Sequence, residues 1–206
     1  MRTQIQAMSD RLLLLYAIGK GNESGCVDGP FKLMKIPFMA ELASTSHGVN
    51  TFNYSFYRWT YGPMSTEIYE DADALHALGL SSSKNRNARV TPKGMALLNI
   101  AGDLFSDNRA AVKYVDDASR KCAQLGFGQL KKLVYGQSVM VGGKKTLIAD
   151  VPSGVGVLSS APDAKLEFAL DDDWVDTLWG YFNYSSEDFE LMKIVTRAPH
   201  SEFACQ

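Results

Sequence analysis

Residues 57–80, YRWTYGPMSTEIYEDADALHALGL, put an aromatic run, a glycine-proline turn and an acidic-apolar helix in immediate succession. Just upstream, Phe52, Tyr54 and Phe56 alternate with Asn53 and Ser55, the period of two of a half-buried strand that ends at Tyr61-Gly62-Pro63. Gly62 tolerates backbone angles that other residues resist, and Pro63 punctuates the turn. Ser65 stands where a helix N-cap belongs, with Glu67 in the first turn, where the helix dipole favours an anion. Ile68, Ala72, Leu75 and Leu78 then recur on one helical face, and Gly79-Leu80 closes the helix.

Upstream, Ile5, Met8, Leu12 and Leu15 form the stripe of an amphipathic first helix expected to end near Gly19 and Gly21. A second helix begins at Pro30, and Pro37 predicts a kink in it because proline lacks an N–H and disfavours helical geometry at Ile36. Downstream, the polar, basic loop SSSKNRN (81–87) leads to ARVT (88–91), which can return antiparallel to residues 80–82 as a wing. Thr91 caps a further helix with Pro92 at its first position. The order helix, helix, strand, helix, wing, helix predicts an α+β fold with a winged helix-turn-helix core over residues 1–106.

Residues 107–206 read as additional helices and a C-terminal β-hairpin and helix extension packed on that core. Ala111, Val115, Ala118, Cys122 and Leu125 mark a helix whose stripe reads first as packing on its own domain and second as the seam of a homodimer. GQLKKLVYG (128–136) continues as a shorter helix. VMVGGKKTLIADV (139–151) predicts a hairpin turning at Gly142-Gly143, and GVGVLSS and LEFAL add candidate strands. Two short helices close the chain, one starting at Asp171 to Asp173 and buried through Val175, Leu178, Trp179 and Phe182, the other starting after Ser185-Ser186.

The stretch from FNYSFYRWTYGPMSTEIYEDADALHALGL, with KLMKIPFM before it and RVTPKG after it, resembles prokaryotic winged-helix proteins of the YwgA-like group and, more distantly, the Panacea antitoxins. The shared pattern is the alternating aromatic strand, the turn of Tyr61, Gly62 and Pro63 with Ser65 and Glu67 beyond it, the helix ending in Gly-Leu, and the wing closing on Thr and Lys-Gly. The resemblance covers roughly residues 5–135 and not the remainder, and Pro37 departs from it. It implies a regulator, an antitoxin or a factor associated with prophage or defence systems.

The 206 residues carry a net charge of -2, with 10 Lys and Arg against 9 Asp and Glu in residues 1–106 and 11 against 14 in residues 107–206. Neither half has the positive excess of a dedicated nucleic-acid binder. A groove-reading helix needs Arg, Lys, Asn or Gln at base edges, whereas residues 64–78 offer Glu67, Glu70, Asp71 and Asp73 and no Lys or Arg. Each carboxylate brought close to a phosphate is repelled by on the order of 1 kcal/mol in water-like dielectric. DNA contact, where present, therefore falls to the wing: Lys84, Arg86 and Arg89, with Lys93 behind them, suit three or four phosphate contacts. Arg58, Trp59 and Tyr61 add an aromatic-basic surface beside the turn. The alternative is a protein-interaction module that no longer binds DNA, in which Asp171, Asp172, Asp173 and Asp176 meet a basic protein partner. From Asp163 onward ten Asp and Glu stand against Lys165, Lys193 and Arg197.

Chemistry is not legible in the residues. His47, His76 and His200 are isolated from one another and from Cys26, Cys122 and Cys205, so neither a metal site nor a catalytic triad is indicated. GGKKT lacks the first glycine of a phosphate loop, where Ser138 stands, and sits in a hairpin. Asp172 and Asp176 share a helix face without a third ligand. The expectation is a non-enzymatic protein without cofactor or metal. Odd, scattered cysteines, a short N-terminal apolar run and the absence of a cleavage site point to a reduced, cytoplasmic setting without a membrane partner.

Overall fold

Four consecutive leucines at 12–15 cannot share one face of a helix, and their placement sets the architecture. The computed structural model describes residues 2–82, 87–159 and 164–183. In the first helix, α1 (Gln4–Ser24), all four leucines have no exposure, so α1 is enclosed on every side and not laid on a core by one stripe. Ile5, expected on that stripe, is 48% exposed. A capping box between Thr3 and Gln6 opens the helix. It runs past Gly19 and Gly21, against expectation. A Cβ at Gly21 would stand 2.5 Å from a Val27 methyl, so this glycine allows the next segment to approach and does not end the helix.

A short strand, β1 (Val27–Asp28), leads into α2 (Gly29–Thr45), which has Pro30 in its first turn and continues through the buried Pro37. After β2 (Val49–Asn50), residues 51–55 are extended without a strand neighbour. Phe52, Tyr54 and Phe56 are buried as the alternation predicts, but the backbone between them is held by carboxylates. Glu41 of α2 accepts the Thr51 and Phe52 N–H groups at 2.9 and 2.8 Å and the Thr51 hydroxyl at 2.7 Å. Asp10 of α1 accepts the Asn53 N–H at 2.9 Å, and Glu67 accepts that of Ser55 at 3.0 Å. Three side chains from three helices replace a sheet ladder, which satisfies the buried backbone donors by another route.

The chain then forms a hairpin of β3 (Phe56–Trp59) and β4 (Gly62–Met64), in which Trp59 pairs with Gly62 across a two-residue turn. Helix α3 (Thr66–Ala77) follows, with Ile68 and Leu75 buried and Ala72 and Leu78 packed at its edge. Strands β5 (Ser81–Ser82) and β6 (Asn87–Val90) pair antiparallel, and β1 joins them in the order β1-β6-β5. Thr91 caps α4 (Pro92–Ile100), accepting from Gly94 N–H and donating to the Gly79 carbonyl at 2.6 Å.

Helix α5 (Gly102–Asp107) precedes α6 (Arg109–Gln124), whose residues Ala111, Val115, Ala118 and Cys122 are buried against α1 and α2. That stripe is occupied within the chain and is not free to serve as a dimer seam. After α7 (Phe127–Tyr135), strands β7 (Ser138–Val141) and β8 (Lys144–Leu147) turn at Gly142 and Gly143, whose φ values are 55° and 77°. β9 (Gly156–Leu158) adds antiparallel to β3, and β10 (Leu166–Glu167) pairs in parallel with β2. Helix α8 (Asp172–Asn183) buries Leu178 and Phe182, while Trp179, expected with them, is 42% exposed. One buried cluster extends from Met8 to Phe182. The last helix expected from the sequence lies outside the described residues.

Candidate functional site

Pairing of Trp59 with Gly62 leaves Thr60 and Tyr61 as the turn, with the Trp59 and Tyr61 rings each about half exposed. Gly62 has φ of 94°, a left-handed conformation natural to glycine, and a Cβ there would lie 3.3 Å from the Tyr135 ring. Trp59, Tyr61 and Phe127 are 49%, 57% and 54% exposed, and Tyr69 of α3 is exposed beside them. The Tyr61 and Phe127 rings stand edge to face at 6.4 Å, and Phe127 meets Phe31 at 4.5 Å. A cavity of about 130 Å³ opens among them, lined by Phe31, Lys35, Trp59, Tyr61, Met64 and Tyr69.

Cations surround this aromatic surface. The Arg58 guanidinium lies 4.9 Å from the centre of the Tyr135 ring and donates to the Ile148 carbonyl at 3.2 Å. Lys131 stands 5.5 Å from the same ring, and the Tyr135 hydroxyl ties α7 to the hairpin turn through the Thr60 carbonyl. Lys35 lies at the floor. Its ammonium donates to the Pro63 carbonyl and faces the Phe31 ring at 5.1 Å, with no carboxylate partner among the described residues. Burial, and then the nearby Arg58 charge, push its pKa down to about 7. Lys32, on the same helix and equally buried, instead meets Asp28 at 2.7 Å and the carbonyls of Cys26 and Ala123.

The residues expected to bind DNA separate. Arg89 is exposed on β6, whereas Lys84 and Arg86 lie outside the described residues. Lys93 donates to the Leu78 carbonyl at 3.0 Å, at the C-terminus of α3, and Arg58 belongs to the aromatic surface. Two of the four acidic residues of α3 turn inward: Glu67 and Asp71 bind Arg2, and Asp71 also binds Arg11. Glu70 and Asp73 are exposed. Ser65 is the α3 N-cap, its hydroxyl 3.3 Å from Glu67, and Pro63 is buried. On α8, Asp171, Asp172, Asp173 and Asp176 are all exposed. Asp171 accepts the Trp174 N–H at 2.8 Å as a cap, and Asp172 and Asp173 occupy the first turn.

Beneath α3 lies a charged network with no counterpart in the sequence reading. Arg2 spans Asp10 at 2.8 Å and Asp71 at 2.7 Å, and the Tyr54 hydroxyl donates to Asp71 at 2.9 Å. Burial raises the Asp10 pKa to about 7, only partly offset by Arg2 and the Asn53 N–H. Tyr54 is likewise pushed well above its ordinary value by burial, then by Asp71 and Asp10. Asp10 and Asp71 were readable as charges among apolar neighbours, in SDRLLLL and YEDADAL. Lys35 in KLMKIPFM carries the same signal.

A larger cavity, about 820 Å³, lies between the C-terminus of α2, β7 and β9. Its lining is mostly apolar and backbone, with Lys145 the one ionisable lining residue among the described residues. His47 and His76 bond backbone carbonyls, and the Cys122 thiol is pushed up to about 12 by burial. His200 and Cys205 fall outside the described residues. Among these residues no group of His, Cys, Asp or Glu is placed to hold a metal ion, and no helix is long and apolar enough to cross a membrane. No family model, curated protein or solved structure matches the chain.

Proposed function

We propose that this chain is a non-catalytic interaction module on a winged-helix scaffold, docking a protein partner on the surface formed by Trp59, Tyr61, Tyr69 and Phe127. The scaffold reading is supported by the order α1, β1, α2, α3, β5, β6 and the sheet order β1-β6-β5, with the hairpin β3–β4 inserted between the second and third helices. The resemblance to antitoxin and defence-associated proteins agrees with a partner-binding role. The observation that carries the reading is the exposure of Trp59, Tyr61 and Tyr69 around one cavity, with the exposed Phe127 ring against Tyr61. Such residues dominate interface energetics, and a contiguous patch of them on a surface marks an interaction site. Helix α3, already unsuited by its sequence to a DNA groove, presents Glu70 and Asp73 to solvent and carries no Lys or Arg.

The test is affinity capture from the native host with the unaltered chain and with Trp59→Ala/Tyr61→Ala. A stoichiometric protein partner retained by the first and lost by the folded variant is the expected result. Equal retention by both would remove the surface from the account.

A second reading, DNA contact through the wing, is favoured by the exposure of Arg89 on β6, to which the sequence adds Lys84 and Arg86 a few positions earlier. It is tested by fluorescence anisotropy of a random duplex across salt concentrations, where three phosphate contacts give a log-log slope of roughly -3. The Lys84/Arg86/Arg89 triple-alanine variant should then bind more weakly and with a shallower slope.

A further inference from the structure

Resting on the docking reading above, we propose that the partner presents a carboxylate side chain, which enters the cavity between Trp59, Tyr61 and Tyr69 and pairs with the Lys35 ammonium. Lys35 is 3% exposed and lines this cavity, and among the described residues its contacts are one carbonyl and one ring face, with no carboxylate to pair the ammonium. Among the described residues, the charged and titratable groups that face this region are Arg58 from β3, Tyr61 from the turn, Tyr69 from α3, and Tyr135 and Lys131 from α7, with Lys32 one turn earlier on α2. None is a carboxylate. Lys32 shows what the helix does when an acid is supplied from within the chain: Asp28 meets it at 2.7 Å and is itself held below the usual carboxylate range by that contact.

Positive charge with an aromatic rim complements an acidic anchor flanked by apolar residues. A cavity of about 130 Å³ has the size of one side chain. An incoming carboxylate would favour charged Lys35, so the complex holds a proton that the free protein begins to lose near pH 7. Affinity therefore falls as pH rises above that value, by up to about tenfold per unit.

The experiment pans a random dodecapeptide phage library against the full chain and measures the selected peptides by fluorescence polarisation. Expected are peptides carrying Asp or Glu beside aliphatic or aromatic residues, lost on Trp59→Ala. Their affinity should drop about tenfold or more when the acid becomes its amide, drop similarly on Lys35→Met, and decline between about pH 7 and pH 9. The pH profile is read on the native chain and stands even where Lys35→Met does not fold. Peptides lost on Trp59→Ala but lacking a carboxylate, with pH-independent affinity, would overturn this inference and leave the docking surface intact. Peptides insensitive to Trp59→Ala would overturn the docking surface itself.

Discussion

Two lysines three positions apart on α2 differ in their neighbours, and the difference is measurable. Lys32 is paired, whereas Lys35 is depressed from 10.5 to about 7. Between those two values the unfolded chain binds a proton that the folded chain has released, so Lys35 makes stability rise with pH across that window, by at most about 1.4 kcal/mol per unit. Lys35→Met removes this dependence. Its stability relative to the native chain should therefore be greatest at or below about pH 7 and decline toward pH 10, as measured by urea unfolding at several pH values. A difference independent of pH would mean that folded Lys35 keeps an ordinary pKa. Arg2→Ala leaves Asp10 and Asp71 buried with much of their compensation gone, and a loss of about 3 kcal/mol is expected in the same assay. These residues were visible in the sequence as charges in apolar surroundings, but their partners were not, because Arg2 and Asp71 are brought together only when α1 and α3 pack.

At the scale of elements, the period of two in residues 52–56 foretold which side chains are buried and misjudged what holds the backbone. Alternation reports the face of an extended chain and says nothing of whether its N–H groups meet a neighbouring strand or a carboxylate. Glu41 has no exposure, and burial raises its pKa while the Phe52 and Thr51 donors oppose the shift. Glu41→Ala should cost about 4 kcal/mol, since each buried donor left unpaired costs 1 to 3 kcal/mol. Glu41→Gln should recover part of that loss in urea unfolding. The antiparallel return of β6 on β5 was readable from its polar loop and from Thr91-Pro92, and so was the hairpin at Gly142-Gly143. The glycines of α1 were misread as a terminus because close packing and helix termination both select glycine. Gly94 of α4 is also a close-packing glycine: a Cβ there would stand 2.1 Å from the Leu80 carbonyl oxygen, which is backbone and cannot step aside. Gly94→Ala should lower stability by about 2 kcal/mol or more and loosen the β5–β6 pair, read as faster amide exchange in those strands.

At the scale of the molecule, net charge near zero excluded little. The distribution of side chains carries the functional argument: Glu67 and Asp71 of α3 turned onto arginines, Asp171 capping α8 with Asp172 and Asp173 in its first turn, and aromatic side chains gathered on the β3–β4 hairpin with cations around them. Arg58, Trp59 and Tyr61 were legible as an aromatic-basic group beside the turn. The contributions of Phe127 and Lys35 were not, because they come from α7 and α2 and converge only in the fold. The central claim, a protein docked on that hairpin, is tested most directly by placing the photo-crosslinking amino acid benzoylphenylalanine at Tyr61, at Arg89 and at Asp176 in separate chains and irradiating cells of the native host. A discrete protein adduct formed from position 61, absent from position 176 and abolished by Trp59→Ala, is the expected result. A nucleic-acid adduct from position 89 with no protein adduct from position 61 would contradict it and return the function to the wing.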